Sequence, residues 1–98
     1  MSETPNRTHE QIEQDWRSRG FSCGVWVDPP GKEWRDFIHE KEDELIAVLE
    51  GRIEIEMAGL VRQPEAGEEV MIPAMTIHTV RNIGDGQARW LYGYRQVD

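Results

Sequence analysis

From Phe21 onward the chain repeats with a period of two. In "RIEIEM", Ile53, Ile55 and Met57 fall on one side, and Arg52, Glu54 and Glu56 on the other. That is the pattern of a strand with one face in a core and one in water. "ARWLYGYR" alternates in the same way and puts Trp90, Tyr92 and Tyr94 on a shared face. Turn-forming stretches punctuate the chain: "DPPG" at 28–31, "EGR" at 50–52, "AG" at 58–59, "PEAG" at 64–67 and "GDG" at 84–86. Short strands separated by turns at this spacing predict an all-β sandwich or barrel over residues 21–98.

Residues 1–20 read differently, as a tail and one short helix. Thr8 followed by Gln11 fits a capping box. Glu13 and Arg17 are placed to pair one helical turn apart. Ile12 and Trp16 form a thin apolar stripe suited to docking on the main body, and Gly20 is a natural stop. This segment contains no apolar run, so it reads as neither a signal peptide nor a membrane span.

With 98 residues the chain is long enough for one small domain. Its one cysteine, Cys23, rules out an internal disulfide and a two-cysteine metal site. A reducing, cytoplasmic setting fits best. Lys and Arg number 11 against 19 Asp and Glu, a formal charge of −8. That balance argues against nucleic acid, which is bound largely through basic residues on phosphates, and against an anionic membrane surface.

The chemistry concentrates in "DFIHEKEDELIAVLEG", residues 36–51. On a strand ending at His39, Arg35, Phe37 and His39 share a face. On the next strand, Glu44, Ile46 and Val48 do. A hairpin through "EKED" would bring His39 and Glu44 together at its mouth, with Glu40, Glu42 and Asp43 as solvated turn residues. Downstream, in "GEEVMIPAMTIHTVRN", His78 shares a face with Thr76, Val80 and Asn82. Two histidines and a carboxylate suit a non-haem iron or another divalent transition metal. On residue type alone such a triad can be chosen in many ways from three histidines and many carboxylates, and His39 reads equally as an ordinary loop histidine.

Spacing narrows the choice. Glu44 is followed by six residues and Gly51, and Gly67 by five residues and Pro73. Four residues then precede His78, and three more precede Asn82. This resembles the paired signature of the cupin superfamily, G-x5-H-x-H-x3,4-E-x6-G and G-x5-P-x-G-x2-H-x3-N, over about residues 31–82. His39 falls on the second histidine of the first motif, Glu44 on its glutamate and His78 on the histidine of the second motif. Gly31 matches the opening glycine. Phe37 stands at the first-histidine position and Met75 at the second-motif glycine.

The resemblance implies a jelly-roll β-barrel with a metal site inside its mouth. His39, Glu44 and His78 would hold a divalent transition metal such as zinc, iron, nickel or manganese. Arg35, Phe37, Met75 and Val80 would line the pocket, with Phe37 making it more apolar and Arg35 able to anchor an anionic group. Trp26 or Trp90 could join them, and Asn82 reads as a structural hydrogen-bonding residue. Two functions fit a small-molecule ligand there: a metal-dependent enzyme, or a non-catalytic binding or sensing module. No catalytic residue is assigned. A homodimer is expected, because Trp34, Ile38, Leu45, Ala47 and Leu49 would otherwise expose a large apolar face; the alternative is that the N-terminal helix covers it.

Overall fold

The computed structural model describes residues 7–97, so the tail expected at residues 1–6 lies outside the described residues. One helix, α1 (His9–Ser18), precedes eight strands: β1 (Gly24–Asp28), β2 (Glu33–Phe37), β3 (Glu42–Glu50), β4 (Ile53–Met57), β5 (Leu60–Arg62), β6 (Glu69–Ile72), β7 (His78–Asn82) and β8 (Ala88–Gln96). They form two antiparallel four-stranded sheets, ordered β1-β8-β3-β6 and β2-β7-β4-β5. The sheets face each other, and the side chains alternate between the space they enclose and the outside. The expected all-β jelly roll with a short N-terminal helix is what forms.

The interior between the sheets is filled by Ile46, Val48, Ile53, Ile55, Val70, Ile72, Val80, Ala88 and Trp90. Most of these come from the period-two runs that predicted the strands. On the outer face of the second sheet, Arg81 on β7 bonds Glu33, Glu54 and Glu56 at 2.9–3.1 Å, so the outward charges of "RIEIEM" pair across strands.

The hairpin expected through "EKED" does not exist. β2 pairs with β7, and β3 pairs with β6 and β8. Residues 38–41 therefore carry the chain from one sheet to the other, and His39 sits in that crossover rather than on a strand. Asp43 departs from expectation too. It is 9% exposed on β3, and its Oδ1 accepts the Ala74 amide at 2.8 Å.

The helix forms as read. Thr8 and Gln11 make the capping box, and Glu13 bonds Arg17. Ile12 and Trp16 are fully buried, together with Phe21, Leu45, Ala47 and Leu91, in a second core on the outside of the first sheet. Burying such side chains stabilises by about 1.5–3 kcal/mol each. The Trp16 indole donates to Glu69 at 3.0 Å, and Arg19 grips the same carboxylate with two bonds. The apolar face that called for a dimer is thus largely covered from within the chain. Leu45 and Ala47 lie under the helix, and Trp34 turns inward to pack on the barrel core.

Close docking of α1 depends on Gly93. A Cβ there would collide with the Ser22 carbonyl oxygen and come within 2.9 Å of the Trp16 ring. Backbone cannot rotate aside, so Gly93→Ala should destabilise the protein by about 1–3 kcal/mol, read as a melting temperature lower by roughly 4–8 °C per kcal/mol. A parental melting curve would mean that the helix does not dock this way.

Candidate metal centre and its pocket

Each member of the triad comes from a different part of the fold. Glu44 is the third residue of β3, directly opposite Tyr94 on β8 and Ile72 on β6. His78 opens β7 in the facing sheet, opposite Phe37 on one side and Met57 on the other. His39 drops in from the crossover between the sheets. Its backbone is held from below by the turn after β6, where the Met75 amide donates to the His39 carbonyl at 2.8 Å. Met75 has φ 67°, the left-handed conformation that glycine adopts most easily. The glycine position of the motif therefore serves the backbone. The Met75 side chain points away and is 65% exposed, so Met75 positions His39 but does not line the pocket as expected.

The two histidine Nε2 atoms each lie 3.3 Å from Glu44 Oε1. Glu44 is 4% exposed and His78 4%. Despite the short distances, Glu44 Oε1 receives no well-directed hydrogen bond. The remaining nitrogen of His78, Nδ1, lies 3.1 Å from the Thr76 carbonyl. With Nδ1–H donating there, Nε2 presents its lone pair toward Glu44. Burial disfavours the charged His78 ring, but the Glu44 carboxylate and the Thr76 carbonyl outweigh it and raise its pKa overall.

This donor set fits a divalent ion. Ligand atoms each about 2.0–2.2 Å from a shared ion lie roughly 3–3.5 Å apart, the spacing seen here. An orphaned buried carboxylate oxygen facing two imidazoles is an environment that suits a cation, and a carbonyl on the far nitrogen of a histidine is the usual support for a ligating ring.

Above the triad opens a cavity of about 250 Å³, walled by six aromatic side chains, Trp26, Trp34, Phe37, Trp90, Tyr92 and Tyr94, with Val80. Phe37 and Val80 are among the residues that wall it, as are Trp26 and Trp90. Arg35 is not there. It bonds Glu33 at 2.8 Å on the outside, its side chain 72% exposed. The cause is a bulge. Trp34 opposes Val80 and Phe37 opposes His78, so two residues of β2 face one of β7. Asp36 takes φ 54°, and its amide donates to Thr79 Oγ1 at 3.0 Å. The extra residue turns Trp34 and Phe37 to the same side and sends Arg35 outward. Burial, and then the Glu44 carboxylate, push the Tyr94 phenol well above its ordinary range. It therefore remains an O–H donor at neutral pH.

Sequence reasoning missed Trp34, Tyr92, Tyr94 and Asp28. Trp34 follows from the bulge, and the two tyrosines from the facing of β8. Asp28 sat inside a turn signal, and nothing local to it showed that three indole N–H groups, from residues 26, 34 and 90, would need it as an acceptor.

The family described as Cupin domain matches residues 24–94. The chain belongs to the cupin family. This cupin is 33% identical over 73 residues to "Polyketide synthase CurC" of Streptomyces cyaneus, covering 74% of this chain and 47% of the relative. It is 30% identical to "Protein SchB" of Streptomyces halstedii, covering 74% and 52%. The chain thus spans about half the length of the curated relatives it matches. Among solved structures it resembles a Cupin 2 conserved barrel domain protein from Salinispora arenicola, with 27% identity, a TM-score of 0.69, and coverage of 80% of this chain and 65% of the other.

A buried carboxylate with an unsatisfied oxygen weakens the metal-free protein. In chelator, Glu44→Leu should therefore melt higher than the parent, by about 1 kcal/mol or more of stability. A lower melting temperature would show that Glu44 stabilises the fold by itself.

Proposed function

We propose that this cupin holds a divalent transition metal between His39, Glu44 and His78 and binds a small oxygen-bearing molecule in the aromatic pocket above it. The single observation that carries the reading is the buried Glu44 Oε1, unbonded and faced by two imidazole nitrogens at 3.3 Å. When bound, the ion would supply Lewis-acid or redox chemistry at a substrate oxygen. The protein's own residues do the rest. Thr76 fixes the His78 tautomer, Tyr94 offers an O–H beside the triad, and the aromatic walls exclude water. Phe37 occupies the place of a fourth protein ligand, so positions on the ion stay open for ligand. The relative called a polyketide synthase supports a polyketide-derived molecule as that ligand.

One observation favours the binding-module reading of the same pocket. Outside the triad, the described lining residues offer no carboxylate, imidazole or amine, only the phenols of Tyr92 and Tyr94. Enzyme and sensor therefore share the metal step and part only at turnover.

Titration of chelator-stripped protein with zinc or manganese tests the shared step. One equivalent should bind to the parent and none stoichiometrically to His78→Ala. Phe37→His should bind more tightly, because its ring lies on the pocket side opposite His78. No uptake by either the parent or Phe37→His would end the metal reading.

A homodimer belongs to this proposal as well, now resting on the edge strand β1. Val25 and Val27 there are 40% and 48% exposed. Sedimentation at micromolar concentration should give the dimer mass, and a monomer alone would remove the claim.

A further inference from the structure

The tryptophans of the pocket are organised by one carboxylate. Asp28, at the end of β1, is 2% exposed. Its Oδ1 accepts the Trp26 indole at 2.8 Å and the Trp34 indole at 3.2 Å. Its Oδ2 accepts Trp34 at 3.0 Å and Trp90 at 3.3 Å. Trp26 and Trp90 stand on β1 and β8 of one sheet, and Trp34 on β2 of the other. A single side chain thus ties together both walls of the cavity. An indole has one donor and no acceptor, so each bond also fixes which way its ring is turned. Asn82 Nδ2 lies 2.9–3.2 Å from the carbonyls of Asp28, Pro29 and Gly86 and holds the Asp28 backbone in place.

The rings so fixed continue toward the triad without a gap. Trp34 meets Trp26 at 5.3 Å, Trp26 meets Tyr92 at 6.2 Å, Tyr92 meets Tyr94 at 5.9 Å, and Tyr94 meets His39 at 4.9 Å, all steeply inclined to one another. Rings set edge to face form the walls of a slot and leave faces and edges open for another ring. Away from the triad and the Tyr94 hydroxyl, the lining carries no charged side chain.

We propose that the slot takes a planar aromatic ligand of one or two fused rings with an oxygen donor at one edge, and that Asp28 is the positioning residue that shapes the slot for it. The size limit follows from the volume of about 250 Å³, slightly under the roughly 300–1,000 Å³ typical of ligand pockets. Flat ligands benefit because the walls are already rigid, so little ordering is needed on binding. Each good ring–ring contact adds about two- to tenfold in affinity beyond area burial. Only the placement of the oxygen edge at the triad rests on the metal reading above.

The test compares 2-naphthol with decahydro-2-naphthol by calorimetry on metal-free protein. The saturated alcohol has the same skeleton and is the more hydrophobic, so burial alone would favour it. The expected result is tighter binding of 2-naphthol by about tenfold or more, the size of one or two ring contacts. Asp28→Asn keeps the shape but turns an N–H toward at least one indole. It should weaken 2-naphthol by about tenfold, leaving decahydro-2-naphthol and zinc uptake within about twofold. Trp34→Phe keeps a ring without the N–H bond and should show the same selective loss; it decides the matter if Asp28→Asn does not fold. Equal affinity for the two alcohols, tighter binding of tetramethylammonium than of 2-naphthol, or an unchanged preference in the variants would overturn the proposal. Zinc uptake is read separately, so loss of zinc binding with the naphthol preference intact would count against the metal reading alone.

Discussion

Glu44 is a carboxylate among largely aliphatic and aromatic side chains and is 4% exposed; unlike the buried Asp28, which accepts three indole N–H groups, it has an oxygen without a hydrogen bond. Burying such a group without a partner is among the costliest things a small domain can do. A fold that retains it needs some compensation, and the neighbours show the form this takes. Three separate backbone devices converge on one oxygen atom. The β3–β8 and β3–β6 ladders set the depth of Glu44. The bulge on β2 brings Phe37 opposite His78. The positive-φ turn at Met75 holds the crossover that carries His39. The ladders are regular at Glu44, whereas the bulge and the positive-φ turn each have a local cost in regularity or strain.

Much of this was legible in the sequence, and the reasons differ from residue to residue. Period-two runs identified β4 because one of its faces is buried and the other carries charges; β8 also alternates in residue type, but both of its faces are covered, Trp90 inside the barrel and Leu91 under the helix. Motif spacing identified Glu44 and His78 because both lie on regular strands, where counting residues is counting distance. His39 does lie with Glu44 and His78, but not by the route that counting gave. Counting put it on a hairpin strand, whereas it reaches the triad from a crossover between sheets. Parity failed at Arg35 because a bulge adds one residue, and a period-two argument has no means of detecting an extra residue. The dimer argument weakened for a related reason. Leu45 and Ala47 do form an apolar outer face, but Ile12 and Trp16 cover it from the same chain. The stripe on the helix and the face of the strand were each visible in the sequence. That they fit each other depends on the close approach at Gly93, which alternation does not encode.

Asp28 shows a different limit. Turn residues are commonly Asp followed by Pro and Gly, and "DPPG" does form the β1–β2 turn. The same aspartate faces inward and accepts three indole N–H groups from two sheets. Local sequence explains the backbone at Asp28, but the side-chain role depends on residues 26, 34 and 90 meeting in space. Asn82 joins the two levels. Its place in the cupin motif is structural, since its amide holds the carbonyls around the Asp28 turn.

The two halves of the site meet at Tyr94. Its ring packs on His39 at 4.9 Å and on Tyr92 at 5.9 Å, and its backbone stands directly opposite Glu44. The strand pairing that sets the depth of the carboxylate therefore also sets the position of the aromatic wall beside it. A slip of β8 by one residue would turn Trp90, Tyr92 and Tyr94 outward together, removing the wall while leaving His39 and His78 in place. Gly24 guards against a milder form of the same error. A Cβ there would lie 2.7 Å from the Tyr92 ring, so β1 must leave that position bare for the ring to lie across it. Donor set and aromatic slot are in this sense one register choice, made along β8 and enforced from both neighbouring strands.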